Sequence, residues 1–189
     1  MSDPGPLRDE ADRPAAPTGP GSGRTTTVEG ARAARRTDAD RCAELARAAL
    51  EAAQAQRGGA LLVRREAYPA GPALLRPGGL DRLLGDRRRR VVVGTLDEVV
   101  VGVLVARVDD VQGALLGVLE LLYVEPAARG VGVGGAMLQL AVDALRQAGC
   151  LGIDAVALPG DLPTKRLLES SGFVARAITM HLAEPTTDR

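Results

Sequence analysis

The sequence predicts an α/β domain: a mixed sheet with helices on its faces. Two observations carry this. Apolar runs from Arg89 to Val124 meet through short turns, the mark of antiparallel hairpins. After them, helix and strand patterns alternate to the end of the chain, the mark of crossovers that cover a sheet. The 189 residues suit one domain with a sizeable core.

Residues 1–27, rich in Pro, Gly and charge, bury too little apolar surface to offset their ordering entropy and are expected to be a disordered tail. The domain is expected over residues 28–189. Val28 to Arg36 reads as a first strand. Thr37 or Asp38 offers an N-cap, and Cys42, Leu45, Ala46, Ala49, Leu50 and Ala53 then recur at helical spacing. Gly58 and Gly59 stop that helix. Tyr68 to Leu80 reads as a long loop, a plausible lid, with a short helix through Leu84. "RRVVVGTL" and "VVVGVLVARV" flank a turn at Asp97-Glu98. "ALLGVLELLYV", Ala114 to Val124, is almost continuously apolar and so is expected to be a central strand. Ala136, Met137, Leu140, Ala141, Ala144, Leu145 and Ala148 mark an amphipathic helix. "CLGIDAVAL" reads as a strand, "DLPTKRLLESSGF" as a short helix with Pro163 in its first turn, and "VARAITMHL" as a closing strand.

Composition narrows the function. Formal net charge is zero, so nothing draws the whole molecule to nucleic acid or to an anionic membrane. Two cysteines, Cys42 and Cys150, and one histidine, His181, supply no metal-ligand set, and both thiols are expected to be reduced. Without an apolar signal core or a run long enough to span a bilayer, the chain is expected to be soluble and cytoplasmic.

The chemistry concentrates in "YVEPAARGVGVGGAML", Tyr123 to Leu138. Gly130, Gly132 and Gly135 spell G-x-G-x-x-G, but the dinucleotide reading fails on context. That fingerprint follows the first strand of a parallel unit directly, whereas here Glu125 to Arg129 intervene after antiparallel hairpins. No G-K-[ST] follows, so a P-loop is excluded as well. What remains is a strand, a loop and a glycine-rich helix start, which favours an anion. The first amides of the helix are unsatisfied, and glycine lets a phosphate approach the backbone. Arg129 can add a charge-assisted contact.

"LYVEPAARGVGVGGAML" resembles motif A of the GCN5-related N-acetyltransferases, and "LLESSGFVAR" resembles that family's late E-x-x-G-F segment. The resemblance implies a mostly antiparallel sheet with a splayed strand pair at the cofactor site. It implies acetyl-CoA as donor, without a metal, and direct transfer to an amine on a small molecule or peptide. The pyrophosphate would sit on the amides of Val131, Gly132, Val133, Gly134 and Gly135, with Gly130 also a cofactor-binding residue and Arg129 at the family's arginine position. The backbone of Leu122, Tyr123 and Val124 would bond to pantetheine, one amide polarising the thioester. Lys165 falls near the cofactor's path, although a solvated helix lysine is the default for such a residue. The family often dimerises, which leaves a homodimer open.

Glu120 is the candidate base, a carboxylate inside an apolar strand, expected in phase with Leu122 and Val124. A strand carboxylate that reaches solvent or pairs with an arginine is the competing reading. Two departures stand out: Asp161 and Leu168 occupy the places where many members carry Asn and Tyr. Leu168 cannot protonate a departing thiolate, and Tyr123 is expected to point to the other face. A module that binds acyl-CoA as a sensor or partner without catalysis is therefore the alternative.

Overall fold

In a computed structural model that describes residues 28–64, 70–180 and 182, five strands form one sheet in the order β1-β2-β3-β4-β5. The strands are β1 (Glu29–Ala33), β2 (Arg89–Leu96), β3 (Val99–Val111), β4 (Ala114–Val124) and β5 (Gly152–Asp154). β1 to β4 pair antiparallel, and β4 and β5 pair parallel. The expected mixed sheet is therefore present, with β4 inside it. The hairpin turns are tight: Asp97 and Glu98, then Gln112 and Gly113, all adopt positive φ, which matches the twist of the flanking strands.

Two cores fill the two faces. One packs α1 (Ala39–Gln54), α3 (Ala70–Leu74) and α4 (Gly79–Gly85) on Val91, Val93, Val103, Val105 and Leu121. The other packs α5 (Val133–Gln147) and α6 (Leu162–Ser170) on Val92, Leu104, Ala106 and Leu119. The first helix carries its predicted buried stripe, Cys42 through Ala53. Asp38 is no simple cap. Its buried carboxylate accepts from both Arg32 guanidinium nitrogens at 2.7 and 2.9 Å and from the Arg35 amide at 2.7 Å, tying β1 to the start of α1.

α5 lies close to the sheet because β2 and β3 offer glycines beneath it. A Cβ at Gly94 would collide with Val133 and Met137, and one at Gly102 would meet Met137 Cε at 2.8 Å. This packing holds the N-terminus of α5 beside the end of β4.

Three expectations need correction. The loop expected from Tyr68 to Leu80 contains α3 and begins α4, and α2 (Gly59–Arg64) precedes it; Tyr68 lies outside the described residues. β5 is only three residues long, because the chain leaves β4 after Asp154. Val174 to Met180 forms no strand: Val174, Ile178 and Met180 are exposed, and Arg176 reaches Asp154 by an ion pair. Alternation alone does not make a strand without an edge to pair with, and β5 offers a short one. The tail expected over 1–27 lies outside the described residues.

Candidate active site

β4 and β5 share only the pairs Leu116–Gly152, Gly117–Ile153 and Val118–Asp154. Beyond them β4 runs on for six residues, Leu119 to Val124, with no strand on that side among the described residues. The direction of its free groups follows from ladder alternation. The Val124 carbonyl accepts from Arg129 Nε at 2.9 Å, so it points away from β3. In an antiparallel pair the amide and carbonyl of a residue point the same way, and alternate residues match. The backbone groups of Leu122 and Val124 therefore face the gap, while those of Tyr123 face Val103 of β3. Of the three residues expected to offer backbone to a ligand, two are oriented to do so.

A cleft of about 380 Å³ occupies this gap. On one face it is bounded by the α5 start, by Leu167, and by Asp161 and Thr164 of the α6 start; on the other it meets Ala49, Ala52 and Ala53 of α1 and Gln56 just past its end. It thus runs through the sheet from one helical layer to the other. Of the sequence-predicted residues it brings together Leu122, Tyr123, Val124, Arg129, Gly130, Gly132, Gly134 and Gly135. Val131, Val133 and Lys165 are not in its lining. Val131 is exposed, Val133 packs in the core, and Lys165 pairs with Glu169 at 3.6 Å.

The glycine stretch has the geometry of a cradle. Gly130 and Gly132 have φ of +81° and +99°, a conformation that strains other residues. Gly132 occupies the N-cap of α5 and provides no side-chain cap, and the first carbonyl-paired amide is that of Ala136, bonded to Gly132 O at 3.0 Å. The amides of Val133, Gly134 and Gly135 thus lie in the uncapped first turn, at the positive end of a 15-residue helix. A Cβ at Gly135 would meet no protein atom within 4 Å, so glycine there answers no packing demand of the protein. These features fit a phosphate-bearing ligand.

Arg129 is turned differently from the expected phosphate contact. Besides the Val124 carbonyl, its guanidinium lies over the Tyr123 ring, 5.6 Å from the centroid. Tyr123 also lines the cleft, despite the expectation that strand alternation would turn it away. The expectation overlooked that the cleft reaches both faces.

Glu120 is placed elsewhere. A β-bulge between Val105 and Ala106 leaves Glu120 without an opposite residue on β3. The phase shifts there, so Glu120 joins Leu121 on the α1 face while Leu122 and Val124 face α5. Its side chain is 0% exposed and is not in the cleft lining. One carboxylate oxygen accepts from Arg107 Nη1 at 2.8 Å and the other from Arg89 Nη1. Asp109 and Asp86 complete the network, at 2.8 Å from Arg107 and 3.2 Å from Arg89. The Asp109 hydrogen bond, with Glu120 adding to it, raises the Arg107 pKa further, so this guanidinium stays charged.

Sequence reasoning missed the α1 wall and Leu158. Ala49 and Ala53 fit the core stripe by their helical spacing and Ala52 lies outside it; only the placement of α1 over the gap makes the three a wall. Asp161 was noted as a departure, and it both caps α6, accepting from the Thr164 amide at 3.2 Å, and borders the cleft.

The model of the acetyltransferase (GNAT) family matches residues 61–173, more than half of the chain. The chain belongs to the GNAT acetyltransferase family. No curated protein matches it. Solved structures share the fold. An aminoglycoside N-acetyltransferase, AAC(6')-Iy, in complex with CoA is 16% identical with a TM-score of 0.63, covering 84% of this chain and 95% of that one. A transcriptional regulator from Bacillus halodurans is 20% identical, TM-score 0.61, covering 83% and 100%. A "predicted acetyltransferase with acetyl-CoA" from Clostridium acetobutylicum is 15% identical, TM-score 0.58, covering 82% and 96%. Among the described residues no helix is long and apolar enough to cross a membrane, and no cluster of metal-ligating side chains occurs.

Proposed function

We propose that this GNAT acetyltransferase moves the acetyl group of acetyl-CoA directly to an amine. The observation that supports this best is the cleft's course. It begins at the glycine cradle, passes the free backbone of Leu122 and Val124 between diverging strands, and ends against α1 on the opposite face. Donor and acceptor can then enter from opposite sides and meet in line, the geometry that direct transfer requires.

In this reading the amides of Gly132 to Gly135 hold the pyrophosphate. The Leu122 and Val124 backbone groups bond to the pantetheine arm, and one of their amides donates to the thioester carbonyl. Such a donor is typically worth about 100- to 1000-fold in kcat. Arg129 clamps the mouth of the cleft, where its guanidinium is already fixed by Val124 and Tyr123. Glu120, with both oxygens engaged by guanidinium donors, serves to hold β2, β3 and β4 together rather than to take a proton. The carboxylate that borders the cleft is Asp161, and only one of its oxygens accepts a bond among the described residues. The acceptor attacks as the neutral amine after its ammonium proton passes to water, and its second N–H proton follows to water as the amide forms. CoA departs as thiolate without a dedicated acid, because a thiol of ordinary acidity is partly ionised near neutral pH. With Cys42 and Cys150 both free, the cytoplasm is the compartment this reading assigns.

Isothermal titration with acetyl-CoA, followed by thiol release in the presence of an amine library, tests the proposal. Saturable binding and amine-dependent thiol release are expected. No heat at millimolar acetyl-CoA would refute it.

A further inference from the structure

The α1 side of the cleft is where an acceptor would lie, and its chemistry is narrow. Its wall is Ala49, Ala52 and Ala53 of α1, with Leu158 after β5 and the ring of Tyr123. None of these carries a charge. The polar groups gather at one end. A Cβ at Gly160 would collide with the Gln56 carboxamide oxygen, so Gln56 lies against the turn that leads into Asp161. Asp161 reaches the cleft from the α6 face, next to the turn that Gln56 touches from the end of α1, and it is the sole carboxylate among the described residues that line the cleft. Arg129, the other charged residue of the lining, repels a cation.

Charge counting then limits the acceptor. An ammonium taken out of water needs a carboxylate or several acceptors around it, and each further ammonium needs its own. Among the described residues, the lining of this cleft provides for one. The apolar wall contributes only where a ligand brings apolar surface to cover it. We infer that the acceptor is a small primary amine with a single positive charge and an apolar alkyl or aryl body, and not a polyamine or an amino sugar. The inference rests on the reading of this cleft as the site of acetyl transfer. It also separates the chain from the aminoglycoside N-acetyltransferase whose fold it shares at 16% identity.

The test compares four acceptors with the full chain at saturating acetyl-CoA, read by thiol release: 2-phenylethylamine, hexylamine, spermidine and kanamycin. The expected kcat/KM for the two monoamines exceeds that for spermidine and kanamycin by about tenfold or more, since unpaired ammonium groups must be desolvated. Ala52→Glu adds a second carboxylate at an exposed position of the wall. It is expected to lower kcat/KM for 2-phenylethylamine by about tenfold and to raise it for spermidine, with acetyl-CoA affinity measured by calorimetry as the control. Spermidine or kanamycin turned over as well as the monoamines would overturn the inference and leave acetyl transfer standing. So would acetyl-CoA binding with none of the four acetylated. Absence of acetyl-CoA binding would overturn both.

Discussion

Replacing Glu120 by Gln separates a structural carboxylate from a catalytic one. The wild-type side chain is 0% exposed and receives one guanidinium on each oxygen. Glutamine keeps the shape, removes the charge, and turns a donor toward at least one arginine. Removing one member of a fully buried ion pair costs about 3–5 kcal/mol. Here the cost is lower, because Arg89 and Arg107 are 22% and 29% exposed and keep Asp86 and Asp109 as partners. A destabilisation of about 2 kcal/mol is expected. At about 2–4 °C per kcal/mol for a chain of this length, Tm falls by about 4–8 °C in a calorimetric scan. Below the melting transition kcat should stay within about twofold of wild type from pH 6 to 9. A general base would behave otherwise: its removal lowers kcat by about 100- to 10,000-fold, with partial recovery at high pH as more amine is free. A loss of that size with Tm unchanged would refute the assignment and return Glu120 to the reaction.

Gly135→Ala should raise stability by up to about 1 kcal/mol, since alanine is the better helix former and its Cβ meets no protein atom, while weakening acetyl-CoA binding about tenfold or more; a calorimetric titration that finds affinity unchanged would remove Gly135 from the cradle. Acid should destabilise the fold through Asp38, whose carboxyl is held below its ordinary 3.8 first by the Arg32 hydrogen bond and then by the Arg35 amide, against the opposing effect of burial. Its contribution is complete above about pH 4 and is lost as pH falls through the lower folded value, so Asp38→Asn should flatten the acid limb of a urea-denaturation profile and lower stability at pH 7. Burial pushes the Cys42 thiol up to about 12, and Cys150 is also raised by burial, though it is partly exposed. Native protein at pH 8 should therefore react with a thiol-specific reagent slowly and at Cys150 only, and unfolded protein at both positions; fast labelling of Cys42 in the native state would contradict the packing of α1.

Local sequence was sufficient for those features whose cause is local. The buried stripe of α1 repeats at helical spacing, the hairpin turns lie between apolar runs, and the glycines after Arg129 mark a helix start that needs close approach to its backbone. Of the eleven residues that the motif A resemblance marks for cofactor, eight line one cleft. Pairing and phase were beyond its reach. Period-two alternation placed Glu120 beside Leu122, but a bulge set by how β4 pairs with β3 turned it to the other face, between two arginines 13 and 31 residues away in the chain. The strand expected over "VARAITMHL" has the right alternation, yet a strand exists only where another edge satisfies its backbone, and β5 ends after three residues. Ala49 and Ala53 look like core in sequence and become, with Ala52, a wall of the site only because β4 and β5 diverge beneath them. The sequence alone thus determined the family, the helix that presents its amides and the ligand chemistry those amides favour. The tertiary structure decided which side chains share one cleft with that helix start, because that depends on register and strand divergence, which are properties of pairs of segments and not of any one of them.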